Sequence, residues 1–176
     1  MATKSERTRG RHLSPRARKA VLVVHISSAV GWLGVDIALG VLVLRTVLSS
    51  DPRVVALSYQ AVELFAVWTL VPLGLLTLAS GLALGWGTRY GVLKYWWVAV
   101  KLGLAVILTA LVPVALQPTV EAAAEYGRQL MAGRVTMERP FDIYFPPIVS
   151  PLALLFAIVL AVYKPWGRIR GRRSQS

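Results

Sequence analysis

Four ionisable side chains inside or beside apolar stretches set the chemistry open to this chain: His25, Asp36, Glu63 and Lys101. Imidazole titrates near neutrality and carboxylates exchange protons, so such groups at different depths of a low-dielectric medium can form a proton or small-solute pathway. They can equally be structural, with Asp36 and Lys101 forming a salt bridge and His25 hydrogen-bonding Ser28 or a neighbouring helix. Glu63 is a further relay group on the first reading and a solvated interfacial residue on the second. No nucleophile elbow, phosphate-binding loop or usefully spaced pair of carboxylates names a reaction, so no catalytic residue is assigned and the enzyme question stays open. With two histidines and no cysteine, disulfides, iron–sulfur clusters and thiolate metal sites are excluded, and a protein-only metal cluster is not expected.

The elements that position these groups are membrane helices. The stretch 19–45, KAVLVVHISSAVGWLGVDIALGVLVLR, is long enough to cross a bilayer, for which about 20 apolar residues suffice. It is too long for the apolar region of a signal peptide and no A-x-A-like cleavage site follows, so it reads as a retained helix. A polar link over 46–60 precedes a second span at 61–86, in which Pro72 should produce a kink and Ser80 and Gly81 should let another helix approach. The stretch 87–94 reads as a tight turn. A third span over 95–116 opens on Tyr95, Trp96 and Trp97, aromatic residues suited to the headgroup level. Over 119–132, Val120, Ala123, Ala124, Gly127, Leu130 and Met131 share one helical face, with Glu121, Glu125 and Arg128 on the other, which predicts a short amphipathic surface helix. Prolines and aromatics near Phe141, Tyr144 and Phe145 mark a return to the membrane, and a fourth span covers 147–163.

On the first helix His25, Trp32 and Asp36 lie within roughly 20° of one line at about 100° per residue, so they share a face. Ser27, Gly31, Gly34 and Ala38 form a second stripe of the small residues that allow close helix contact. From the helical rise, His25 lies ~8 Å and Lys101 ~10 Å from the same membrane boundary, with Asp36 about midway and Glu63 near the opposite end. Lys101 is thus placed to reach His25 or Asp36.

At 176 residues, 56% hydrophobic and 16% charged, the chain has too little polar surface for a soluble globule and reads as one membrane domain. Its net charge of +12 is concentrated in two tails. Residues 1–18 form a basic tail without hydrophobic periodicity, expected to be disordered, and 165–176 form a second basic tail flanking the membrane domain of 19–164. Neither interleaves aromatics with its arginines as a single-strand nucleic-acid binder would, so the partners expected are anionic lipid headgroups and not nucleic acid. With both termini inside, fourteen basic residues face the cytoplasm against five outside: Arg45, Arg53, Arg128, Arg134 and Arg139. The expected architecture is an all-α, four-helix integral membrane bundle, N-in and C-in, with the amphipathic helix on the extracytoplasmic side between spans 3 and 4.

The runs VHISSAVGWLGVD, VPLGLLTLASGLALGWGTRYGVLKYWWVAVKL and LQP, within 19–118, resemble an uncharacterised bacterial family of predicted four-helix integral membrane proteins. That resemblance implies a fold and a location, the bacterial cytoplasmic membrane, but no activity. A more distant similarity is to copper-resistance-D-like membrane proteins and HemJ-type protoporphyrinogen oxidases, through the pattern from His25 to Trp32 and Gly34 and the Trp97-x-x-x-Lys101-Leu102 pattern. It implies haem, with His25 as an axial ligand and Lys101 as a carboxylate partner. No second membrane histidine is present to complete a bis-histidine site within one chain. Three functions are therefore expected in competition: a structural or accessory membrane protein, with a second copy or another membrane protein as partner; a b-type haem-binding redox protein; and a proton or small-solute pathway.

Overall fold

The computed structural model describes residues 13–87, 94–165, 167 and 169. The tail up to His12, the connection 88–93 with Arg89, and the C-terminal arginines lie outside the described residues. Within them the chain is all α-helical in its regular structure, and four helical stretches are long and apolar enough to cross a membrane. It is an integral membrane four-helix bundle, and the even number of spans brings Leu13, before the first, and Lys164, after the last, to one side.

Helix α1, Pro15–Leu48, starts four residues sooner than the apolar run because Ser14 caps it: Ser14 Oγ accepts from the Ala17 N–H at 3.2 Å and Pro15 takes the first helical position. It ends in a link of only 49–51. Ser49 Oγ accepts from the Asp51 N–H at 3.2 Å and Asp51 Oδ1 from the Arg53 N–H at 2.9 Å, while Pro52 opens α2, Pro52–Gly87. The polar link expected over 46–60 is therefore mostly helix. Those residues lack hydrophobic runs because they lie beyond the membrane, not because the backbone turns there. Helix α2 passes Pro72 without interruption.

Helix α3, Trp96–Leu111, does not stop at the end of its apolar run either. It passes through a π-helical turn, Val112–Leu116, directly into α4, Gln117–Met131. Pro113 cannot donate, and the Gln117 N–H bonds Val112 O, five residues back, so the wider turn absorbs the proline without breaking the helix. The expected separate surface helix is thus a correction: α4 is the continuation of span 3, projecting beyond the membrane. Its buried face is Val120, Ala123, Ala124 and Gly127, as its periodicity requires, with Met131 exposed. A short 3-10 turn, Asp142–Tyr144, leads to α5, Pro146–Tyr163.

At 1.5 Å per residue, α2 and the continuous α3–α4 rod are each ~54 Å long, against a hydrocarbon core of ~30 Å. The surplus forms a polar head in which the start of α2 packs on α4. The two central helices, α1 and α2, run antiparallel and meet along a seam. Ser28, Trp32, Asp36, Leu39, Val43 and Thr46 of α1 face Val55, Tyr59, Val62, Ala66 and Leu70 of α2, all buried at alternating three- and four-residue spacing. Helix α5 closes against α1 and α3 against α2, while α3 and α5 touch sparingly. Most of the second stripe of α1 finds no partner helix among the described residues. Gly31 meets Leu73, but Ser27, Gly34 and Ala38 face outward, and a Cβ added at Gly34 would meet nothing within 4 Å.

Candidate functional site

The structure gives His25 and Asp36 separate hydrogen-bond partners on different helices, and neither of them is Lys101. His25 Nδ1 lies 3.0 Å from both the Thr77 carbonyl oxygen and Ser80 Oγ of α2. With the proton on Nδ1, the ring donates to α2 and Nε2 is left as an acceptor. The ring fits edge-on because position 81 is glycine, where a Cβ would stand 3.2 Å from His25 Cε1. Of the two partners expected for the His25 ring, the neighbouring helix is the one it meets, while Ser28 extends the network: its Oγ donates to the His25 carbonyl at 3.1 Å and accepts from Thr77 Oγ1 at 2.9 Å. His25, Ser28, Thr77 and Ser80 form one α1–α2 polar clamp.

Asp36 belongs to a second clamp. Its Oδ2 accepts from Ser150 Oγ of α5 at 2.6 Å, and the residue is 2% exposed. The expected Asp36–Lys101 salt bridge is not formed: among the described residues both ion pairs belong to Arg128. Eleven residues of helix, ~16 Å, separate His25 from Asp36, and Lys101 sits at the level of His25, within its electrostatic reach. Depth along the helix therefore decides against Asp36 as the lysine's partner. Glu63 stands in the head, where Arg128 bonds it at 2.9 Å and Glu125 at 2.9 Å on an exposed surface. It is not in line with the interior groups, and water screens such solvated pairs so that they add little to stability.

A third polar centre, around Arg139, has no signature in the sequence beyond its charge. Its guanidinium donates to the Thr46 carbonyl and, through Nε, to Tyr59 Oη at 3.4 Å. Tyr59 Oη and Tyr144 Oη are 3.4 Å apart, and Tyr126 packs edge-on against the Tyr59 ring with centroids 5.9 Å apart. The bond to Tyr59 pushes the Arg139 pKa up from its ordinary value, so the guanidinium is a fixed positive charge tying the loop after α4 to α1 and α2. Residues 46 and 59 lie 80 or more positions from 139 and 144, and only the fold brings the two pairs together. Ser150 had a usable signal: a lone hydroxyl in an apolar span is a common helix–helix tie.

Around the second clamp, all four helical stretches contribute to a partly open cavity of ≈ 430 Å³. It runs from Trp32, Leu70 and Leu108 at its inner end, past Asp36 and Ser150, to Thr119 and Asp142 at the head. The turn Val112–Leu116 forms part of its wall. Comparison of the chain with family models, curated proteins and solved structures gave no match. The reading of function accordingly stands on the clamps and the cavity alone.

Proposed function

We propose that this chain is a non-catalytic accessory protein of a bacterial cytoplasmic membrane, whose intramembrane polar residues fix helix arrangement. The observation that carries this reading is the partnering of the polar groups. His25 ties α1 to α2 and Asp36 ties α1 to α5, with no continuous chain of exchangeable groups between them. A relay needs consecutive groups within hydrogen-bond reach, and a clamp needs each group bonded to a different helix. The second description matches.

The expected cost of breaking a clamp is modest. Interhelical hydrogen bonds in membranes contribute ~0.6 kcal/mol on average and ~1.7 at most. His25→Ala, which loses the bonds to Thr77 and Ser80, should lower unfolding stability in mild detergent by about 1–1.5 kcal/mol and leave the helical content unchanged. A Soret band in wild-type protein from haem-replete cells, shifting on dithionite reduction and lost in His25→Ala, would replace this reading with the haem one. Proton flux into proteoliposomes that vanishes in the same variant would replace it with the pathway reading.

The distribution of basic residues in the sequence supports a topology with both termini on the cytoplasmic side, where anionic headgroups would attract them at roughly 1 kcal/mol each. Because the chain has no cysteine, single substitutions report topology directly. Ser50→Cys, in the α1–α2 link, should react with a membrane-impermeant maleimide in intact cells, and Ser174→Cys only after permeabilisation. The opposite pattern would invert the protein in the membrane.

A further inference from the structure

We propose that the central cavity is a binding site for a lipophilic amine, with its ammonium group on Asp36 and its apolar body along the inner faces of α3 and α5. This goes beyond the accessory reading and is independent of it. The volume, ≈ 430 Å³, falls in the range of small-molecule pockets, and the lining is mostly aliphatic and aromatic with a few polar groups. Leu111, Phe145 and Val149 line it and are 44%, 53% and 53% exposed, whereas Trp32 and Ile143 on its far side are 1% exposed. The mouth therefore lies between the end of α3 and the start of α5. That flank faces lipid, so a membrane-dissolved molecule can enter sideways. The π-helical turn at this wall is the kind of irregularity that recurs where helices shape a site.

Charge selects the occupant. Asp36 has one protein donor, Ser150, on Oδ2. Its Oδ1 has no hydrogen-bond partner and is not among the sealed, unpartnered atoms of the interior, which are Trp32 Nε1 and Thr109 Oγ1 among the described residues. That oxygen is thus open to the cavity. Among the described residues no lysine, arginine or histidine lines the space, and the second ionisable residue, Asp142 at the head end, is another carboxylate. An apolar site holding a carboxylate with one hydrogen bond is costly, and a bound ammonium supplies both the missing donors and the opposite charge. An alcohol supplies a donor without the charge, and a fatty acid adds a like charge.

The test uses the full chain in phosphatidylcholine nanodiscs at pH 7, titrated calorimetrically with dodecylamine, dodecanol and dodecanoate. Dodecylamine should bind saturably at one per chain, at least tenfold more tightly than dodecanol, with dodecanoate not binding. Asp36→Asn keeps an acceptor for Ser150 and removes the charge, and should reduce amine affinity to that of the alcohol. Leu111→Trp fills the mouth from an exposed position and leaves Asp36 in place, so it should weaken the amine at least tenfold even if Asp36→Asn does not fold. Absence of saturable amine binding, equal affinities for amine and alcohol, or undiminished amine binding by either folded variant would overturn the proposal.

Discussion

Trp32→Ala should lower the unfolding free energy by about 3–5 kcal/mol, the range for removing a fully buried large aromatic, as measured by thermal or SDS-driven unfolding in mixed micelles. Trp32 is 1% exposed and sits at the α1–α2 seam, where a Cβ added at Gly74 would stand 2.9 Å from Trp32 Cζ3 and 2.9 Å from Thr109 Oγ1. The glycine makes the groove and the indole fills it. In a bilayer no hydrophobic gain drives helix on helix, so the loss is one of dispersion contacts in a dense interior. The variant also enlarges the cavity, since Trp32 lines its inner end and the surrounding helices cannot collapse fully. Gly74→Val should act on the same contact from the other side. The two substitutions combined should then cost less than the sum of each alone, by about 1 kcal/mol or more. A loss below about 1 kcal/mol for Trp32→Ala would mean that the seam is not held by this side chain.

The comparison with His25 orders the forces in this bundle. Breaking the His25 clamp should cost about 1–1.5 kcal/mol, and losing the Trp32 packing should cost several times as much. Packing carries stability, while the clamps choose which faces meet. That division explains why the polar residues attract attention in the sequence and yet contribute less to holding the fold.

The four-helix membrane architecture was legible because apolar run length is set by bilayer thickness and needs no knowledge of packing. The shared face of His25, Trp32 and Asp36 was legible for a similar reason, helical periodicity. Partners were not. Asp36 meets Ser150, 114 residues away, and a depth estimated from run length alone was too coarse to show that Lys101 stands level with His25 and not with Asp36. The ends of the helices were also hidden. Hydropathy falls at 46–60 and at 117–132 because the chain leaves the lipid, and a polar helix beyond the membrane gives the same drop as a loop. Glycines show the same limit. Gly31, Gly34, Gly74, Gly81 and Gly127 look alike in the sequence, yet Gly74, Gly81 and Gly127 face closely packed neighbours whereas Gly34 faces open space.

That last contrast yields a second large effect, in the head. Gly127 of α4 lies against the α2 backbone: an added Cβ would stand 2.9 Å from the Ala56 carbonyl oxygen, 3.3 Å from Ala56 Cα and 3.4 Å from Tyr59 Cβ. A flexible side chain could swing aside, but a carbonyl inside a helix cannot. Any larger residue must push α4 off α2. Gly127→Leu is expected to cost about 3 kcal/mol, at the upper end of overpacking effects, because the obstruction is backbone and the flanking Ala123 and Ala124 are themselves 0% exposed. The damage should be local. Displacing α4 disturbs Tyr126 on Tyr59 and hence the Arg139 centre, so protease cleavage should appear in the loop after α4 while the membrane spans stay protected. Gly34→Leu is the matched control, since nothing lies within 4 Å of its Cβ position, and should leave both stability and proteolysis unchanged. Equal behaviour of the two variants would show that α4 is not seated on α2 and that the head does not form as described. A loss confined to Gly127→Leu would establish that the surplus length of α2 and α4 is a packed structure outside the membrane.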